Sequence, residues 1–130
     1  MKKLAITWAC VLLAALAAIP AFAHHGTAGY DLEKVVTVKG TVEDFEWTNP
    51  HAVVRILAKN EKGENEEWTI ELGAPGIMAR SGWSKNSMKQ GDEVIAETHP
   101  AKNGVPSGLS ATSTILLKFI VNGQALPSAH

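Results

Sequence analysis

Cysteine occurs once in this chain, as Cys10, and sits within an uncharged, mainly apolar stretch over residues 4–19. No disulfide can form within a body that has lost this segment, so packing alone must hold such a domain together. An excess of basic residues is also missing: Lys and Arg number 12 against 13 Asp and Glu. This removes the electrostatic stripe on which nucleic-acid binders depend. Apolar runs are scarce as well. Residues 4–19 fall short of the roughly 20 residues a membrane-spanning helix requires, and no later stretch competes. What remains is the composition of one small domain with a short apolar leader.

That leader has the parts of a secretory signal. Lys2 and Lys3 precede the apolar run, Pro20 follows it, and Ala21-Phe22-Ala23 places small residues at the first and third positions of a cleavage site. Cys10 lies inside the run with apolar sequence on both sides, the wrong setting for a lipid-anchoring cleavage cysteine. Cleavage after Ala23 leaves 107 residues, with ten basic residues beside all thirteen acidic ones. The expected organisation is a signal peptide over 1–23, a flexible lead-in over 24–33 with Tyr30 as its anchor on the body, a barrel domain over 34–126 and a frayed tail over 127–130. A periplasmic or secreted location follows, with no membrane span once the signal is removed.

Period-two alternation dominates the body, which predicts strands. Val36, Val38, Gly40 and Val42 alternate with polar or outward positions in strand one (34–45), where Gly40 marks a bulge or tight bend. Such a bend lets one strand serve two sides of a small barrel. Strand two covers 51–59, and a polar Gly-containing loop over 60–65 leads to strand three (66–72), with Trp68, Ile70 and Leu72 inward. Pro75 suits the first position of a short helix carrying Ile77, Met78 and Arg80 and stopped at Gly82. Ser84 is placed to cap one further helical turn reaching Met88. Strand four spans 93–99 and strand five 109–120; Asn122-Gly123 signals a hairpin, with a return strand over 124–126. Three strands, a helix and two strands give an all-β fold with a short helix, a five-stranded OB-like Greek-key barrel. An SH3-like barrel or small sandwich is the alternative.

Chemistry concentrates at the corner between strands one and two, E-D-F-E-W-T-N-P-H. Pro50 fixes its own φ and biases Asn49 towards extended geometry, so Trp47, Asn49 and His51 are presented in one arrangement. With Trp83 they form the candidate ligand-binding set, for a small molecule or an exported protein. The plainer reading has Trp47 covering a core edge, Asn49 closing a turn and His51 opening a strand. Glu43 and Asp44 face opposite ways on an extended chain, and no nucleophile with its base is evident, so a non-catalytic protein is expected. A sharper alternative is metal handling. Cleavage after Ala23 would give His24 a free α-amine beside its ring nitrogen, a chelate suited to Cu(II), with His25 and His51 as further donors. His99 and His130 have no evident partners in the sequence.

One combination of motifs is distinctive: the double His after Ala23, Val38-Lys39-Gly40-Thr41-Val42, Trp47-Thr48-Asn49-Pro50-His51, Glu71-Leu72-Gly73, Gly82-Trp83 and Pro100-Ala101-Lys102-Asn103-Gly104. It resembles a family of small exported bacterial proteins classed as a domain of unknown function, over almost the whole mature chain. The resemblance implies export and a small β-barrel, and carries no catalytic residue.

Overall fold

A computed structural model describes residues 26–112 and 114–128. Seven strands and one helix follow the order β1 (Val36–Glu46), β2 (Val53–Lys59), β3 (Asn65–Glu71), α1 (Pro75–Arg80), β4 (Glu93–Pro100), β5 (Ser107–Leu109), β6 (Phe119–Val121) and β7 (Gln124–Ala125). Neighbouring strands run β1-β2-β3-β5-β4, and a further β1–β4 pairing closes the ring. The pairs are antiparallel except β3–β5, which is parallel. The result is a closed five-stranded mixed barrel of the expected OB-like order, with α1 between β3 and β4 as the sequence pattern requires.

The first strand closes the barrel. Residues 36–41 pair with β4 and residues 40–46 with β2, so Gly40 and Thr41 belong to both ladders. A Cβ at Gly40 would fall against the Leu57 carbonyl oxygen, far inside van der Waals contact. Gly40 is thus the residue that permits close strand crossing, while the bulge itself lies three positions on, where the register shifts between Val42 and Asp44. Val38, Val42, Val54, Ile56, Ile70, Leu72, Val94, Ala96 and Phe119 fill the interior, joined by Met78 from α1. The hairpin at Asn122-Gly123 has φ of 49° and 82°, the left-handed pair that joins two strands tightly.

Four expectations need correction. Strand five is not continuous: β5 and β6 lie along the same edge of β4, and the chain leaves that edge between them. The excursion is stitched at its neck, because Leu117 N–H donates to the Ser110 carbonyl and the Ser110 hydroxyl donates to the Glu97 carbonyl at 2.7 Å. Trp68 is half-buried rather than core. It packs on the core from the mouth of the barrel, where its indole N–H donates to Glu66 and its ring lines an open groove with Lys39 and Lys59. Residues 84–88 form a turn without helix, in which the Ser84 hydroxyl accepts from Asn86 N–H and the Ser87 hydroxyl accepts from Ser84 N–H.

The lead-in is the fourth. From Gly26 onward it is a strap fastened to the barrel: Tyr30 bridges Ala101, Asp31 N–H donates to the Pro100 carbonyl, and Lys102 N–H donates to the Gly29 carbonyl. Buried His99 holds the strap's end, its Nδ1 lying 2.7 Å from the Lys34 carbonyl oxygen. Two glycines and the lack of periodicity pointed to flexibility, but backbone hydrogen bonds need no side-chain pattern. Pro127 is held as well, since its carbonyl accepts from the Trp83 indole.

Candidate functional site

The corner after β1 is rigid for reasons visible in its neighbours. Phe45 and Trp47 pack ring against ring at 5.8 Å and 60°, which covers the barrel edge where β1 ends. The Asn49–Pro50 peptide is cis, and both residues are exposed. Ala52 is fully buried and locked between strands: its N–H donates to the Gly73 carbonyl, and its own carbonyl accepts from Leu72 N–H. Alternation then sends the neighbouring His51 outward, beside Glu71 of β3, which also faces out. His51 Nε2 lies 3.6 Å from one Glu71 carboxylate oxygen, and the Tyr30 hydroxyl lies 3.4 Å from the other. Three elements therefore converge on one carboxylate: the corner, β3 and the strap.

Below this cluster opens a cavity of about 290 Å³, lined at its rim by His51, Glu71 and Thr27 and on its floor by Ala74, Leu109 and Ala111. Leu109 and Ala111 are buried, whereas Ile77 of α1 stands on the margin with 46% of its surface exposed. Local sequence explains the hollow: Gly73 and Ala74 follow β3 with almost no side-chain volume, and a Cβ at Gly73 would crowd the Met78 sulfur at 3.2 Å. The site is close to the lower size limit of small-molecule pockets, about 300 Å³, and shares their predominantly apolar lining with a few polar groups.

The expected set of site residues is divided by the fold. His51 belongs to the cavity. Trp47 and Asn49 do not line it; they shape the corner that delivers His51. Trp83 is a core residue, 2% exposed, with its ring edge-on to Phe119 at 5.3 Å and its N–H bonded to the Pro127 carbonyl at 2.7 Å. It offers no open face for stacking, so Trp83 belongs to the core rather than to the ligand set. His24, His25 and His130 lie outside the described residues. Among the described residues no three His, Cys, Asp or Glu side chains group as metal ligands, and no helix is long and apolar enough to cross a membrane. Tyr30, Glu71 and Ile77 were missed as site residues. The outward phase of Glu71 was legible in β3, but its convergence with His51 depends on the β2–β3 register, which pairs Val53 with Glu71.

Away from the cavity, Arg55 lies between Asp44 and Glu46 on the outer face of β1 and β2, 2.7 Å from Glu46. The hydrogen bond and charge of Glu46, aided by Asp44, hold the guanidinium still more firmly protonated than usual. Asp92, buried at the turn before β4, accepts from the Lys89 ammonium and backbone N–H and from the Asn122 amide; these bonds hold its carboxyl below the ordinary range.

A family model matches residues 12–111, which takes in the strap, the five barrel strands and all of the cavity lining but Thr112. The chain belongs to DUF6152, a family of unknown function. The match ends at Ala111, before β6 and β7. No curated protein and no solved structure matches the chain.

Proposed function

We propose that this DUF6152 protein is an exported, non-catalytic binding module, periplasmic or secreted, whose ligand enters the apolar cavity beside His51. The observation that carries this reading is the cavity's division of labour. An apolar floor of Ala74, Leu109 and Ala111 receives a ligand body, and the His51–Glu71 pair at the rim orients it. The signal-like leader supports export. Trp47 and Asn49 act here by holding the corner, while the contact falls to His51. The uncharged fluorophore N-phenyl-1-naphthylamine tests the reading without knowledge of the natural ligand. Saturable one-to-one binding with a rise in emission is expected, and Ile77→Arg, at the exposed margin of the cavity, should weaken it at least about tenfold by placing a charge in the apolar path. A probe that fails to saturate, or that ignores Ile77→Arg, would overturn the proposal.

A second reading, Cu(II) handling through His24, His25 and His51, is favoured by one observation: Gly26 and Thr27 line the same cavity as His51. His25 directly precedes Gly26 in the sequence. A free amine on His24 would complete a nitrogen-rich set of the kind Cu(II) favours. Protein exported with its own leader and titrated with Cu(II) should bind more tightly than a scrambled His-containing peptide, and His51→Ala should weaken that binding. Equal affinity for protein and peptide would end this reading.

A further inference from the structure

The cavity beside His51 does not stop at Ile77. A smaller hollow of about 80 Å³ shares Gly73, Ile77, Ala111 and Thr112 with it and continues to Ile115 and Leu116. Together they form one groove, with Glu71 at one end and an aliphatic wall at the other. Ile77 and Ile115 are two of the few large apolar side chains left exposed, at 46% and 36%, and both border this groove. Isolated exposed isoleucines need no explanation, but two that border one groove floored by apolar residues form a continuous apolar path.

Charge at the polar end is one-sided. Among the described residues that line the two hollows, Glu71 is the single carboxylate and none is Lys or Arg. The Glu71 carboxylate, 27% exposed, is held only at long range by its described neighbours. Its nearest partners, His51 Nε2 at 3.6 Å and the Tyr30 hydroxyl at 3.4 Å, lie beyond the 2.5–3.0 Å of a good O–H···O bond or the 2.7–2.9 Å of a charge-assisted N–H···O bond. Among the described residues no donor lies closer to either oxygen, so the carboxylate has lone pairs open to a ligand donor at shorter range. A half-buried carboxylate is stabilised most by a cationic donor at normal distance.

We infer that the groove takes an amphipathic amine: an ammonium head hydrogen-bonded to Glu71 between His51 and Tyr30, and an aliphatic tail laid past Ile77 towards Ile115. This rests on the binding-module reading above and names the ligand class of that same site. Anionic amphiphiles such as fatty acids are disfavoured, because their head would meet Glu71. Selection is by charge at one end and by apolar area along the groove.

Three probes with the same tail separate the terms: n-octylamine, an ammonium at neutral pH, 1-octanol and octanoate. Displacement of the naphthylamine fluorophore should rank them in that order, with octylamine about tenfold tighter than octanol, the usual effect of a hydrogen bond to a charged group on a partly exposed site. Rising salt should narrow this gap, since the contact is not fully buried. In Glu71→Gln the octylamine-to-octanol ratio should fall to about one. The wild-type comparison needs no variant, so a Glu71→Gln that folds poorly leaves the test intact. Octanoate binding as well as octylamine, or a ratio unmoved by salt, overturns the amine assignment while the fluorophore still reports the cavity. Failure of the fluorophore itself removes the cavity reading beneath it, and the inference with it.

Discussion

Trp83 and Trp68 should differ sharply in what they contribute, and truncating each tests the packing directly. A buried Trp removes about 150–250 Å² from water, which at roughly 25 cal/mol per Å² corresponds to about 4–6 kcal/mol. For Trp83 the burial is almost complete, at 2% exposed, and two specific contacts add to it: the edge-on Phe119 ring and the indole bond to the Pro127 carbonyl. Alanine keeps a little of that area and the site relaxes in part, so the expected loss is about 3–5 kcal/mol. Trp68 is only partly buried at the barrel mouth, and its indole bonds to the carboxylate of Glu66 at the barrel's edge. Trp68→Ala should therefore cost roughly half as much, about 1.5–2.5 kcal/mol. Urea unfolding followed by circular dichroism is the assay, which leaves the remaining tryptophans out of the signal. With a slope of about 2 kcal/mol per M, the midpoint should drop by about 2 M for Trp83→Ala and about 1 M for Trp68→Ala. Trp83→Phe should fall by less than Trp83→Ala, because a ring stays near Phe119 while the Pro127 carbonyl loses its donor, a loss of about 1 kcal/mol. Equal midpoints for the two alanine variants, or a larger loss at Trp68, would refute the assignment of Trp83 to the core and Trp68 to the mouth.

Gly40→Ala should destabilise by more than the roughly 1–3 kcal/mol of ordinary overpacking, because the new Cβ meets the rigid Leu57 backbone rather than a side chain that can turn away; near-wild-type thermal stability would show that β1 crosses β2 less closely. Asp92 supplies the acid dependence. Its folded carboxyl lies below its unfolded value, so its contribution is complete above the ordinary carboxylate pKa of about 3.9 and is lost as pH falls through the depressed folded value. Asp92→Asn should remove that part of the acid limb in denaturation midpoints collected between pH 6 and pH 2, about the span where carboxylates titrate; an unchanged acid limb would place the loss elsewhere. Export of the full chain with its own leader should yield an intact mass that begins at His24, and a product that retains Cys10 would contradict the cleavage site.

Much of the barrel was legible in the chain because its determinants are local. Inward residues Val38, Val42, Ile70 and Leu72 follow the two-residue period that a pleated strand imposes, Pro75 opens the helix, and Asn122-Gly123 adopts the left-handed φ values that a two-residue hairpin demands. The order of these elements already implied the closed barrel. What only the tertiary structure decided concerns contacts between distant segments. The sequence between β5 and β6 includes Thr and Ile, good strand formers, with no Gly or Pro to mark a break, and the excursion is held by Ser110 reaching back to Glu97. Trp68 reads as core from its strand phase and Trp83 as a ligand contact, whereas the fold leaves Trp68 half-buried and buries Trp83 against Phe119 and the Pro127 carbonyl. The strap from Gly26 is fixed by backbone bonds to Pro100 and Lys102, about seventy residues away, which no side-chain pattern announces. The cavity arises in the same way. His51 was singled out from its rigid corner, but Glu71, Tyr30 and Ile77 come together with it only because strand register, strap and helix are set jointly by closure of the barrel.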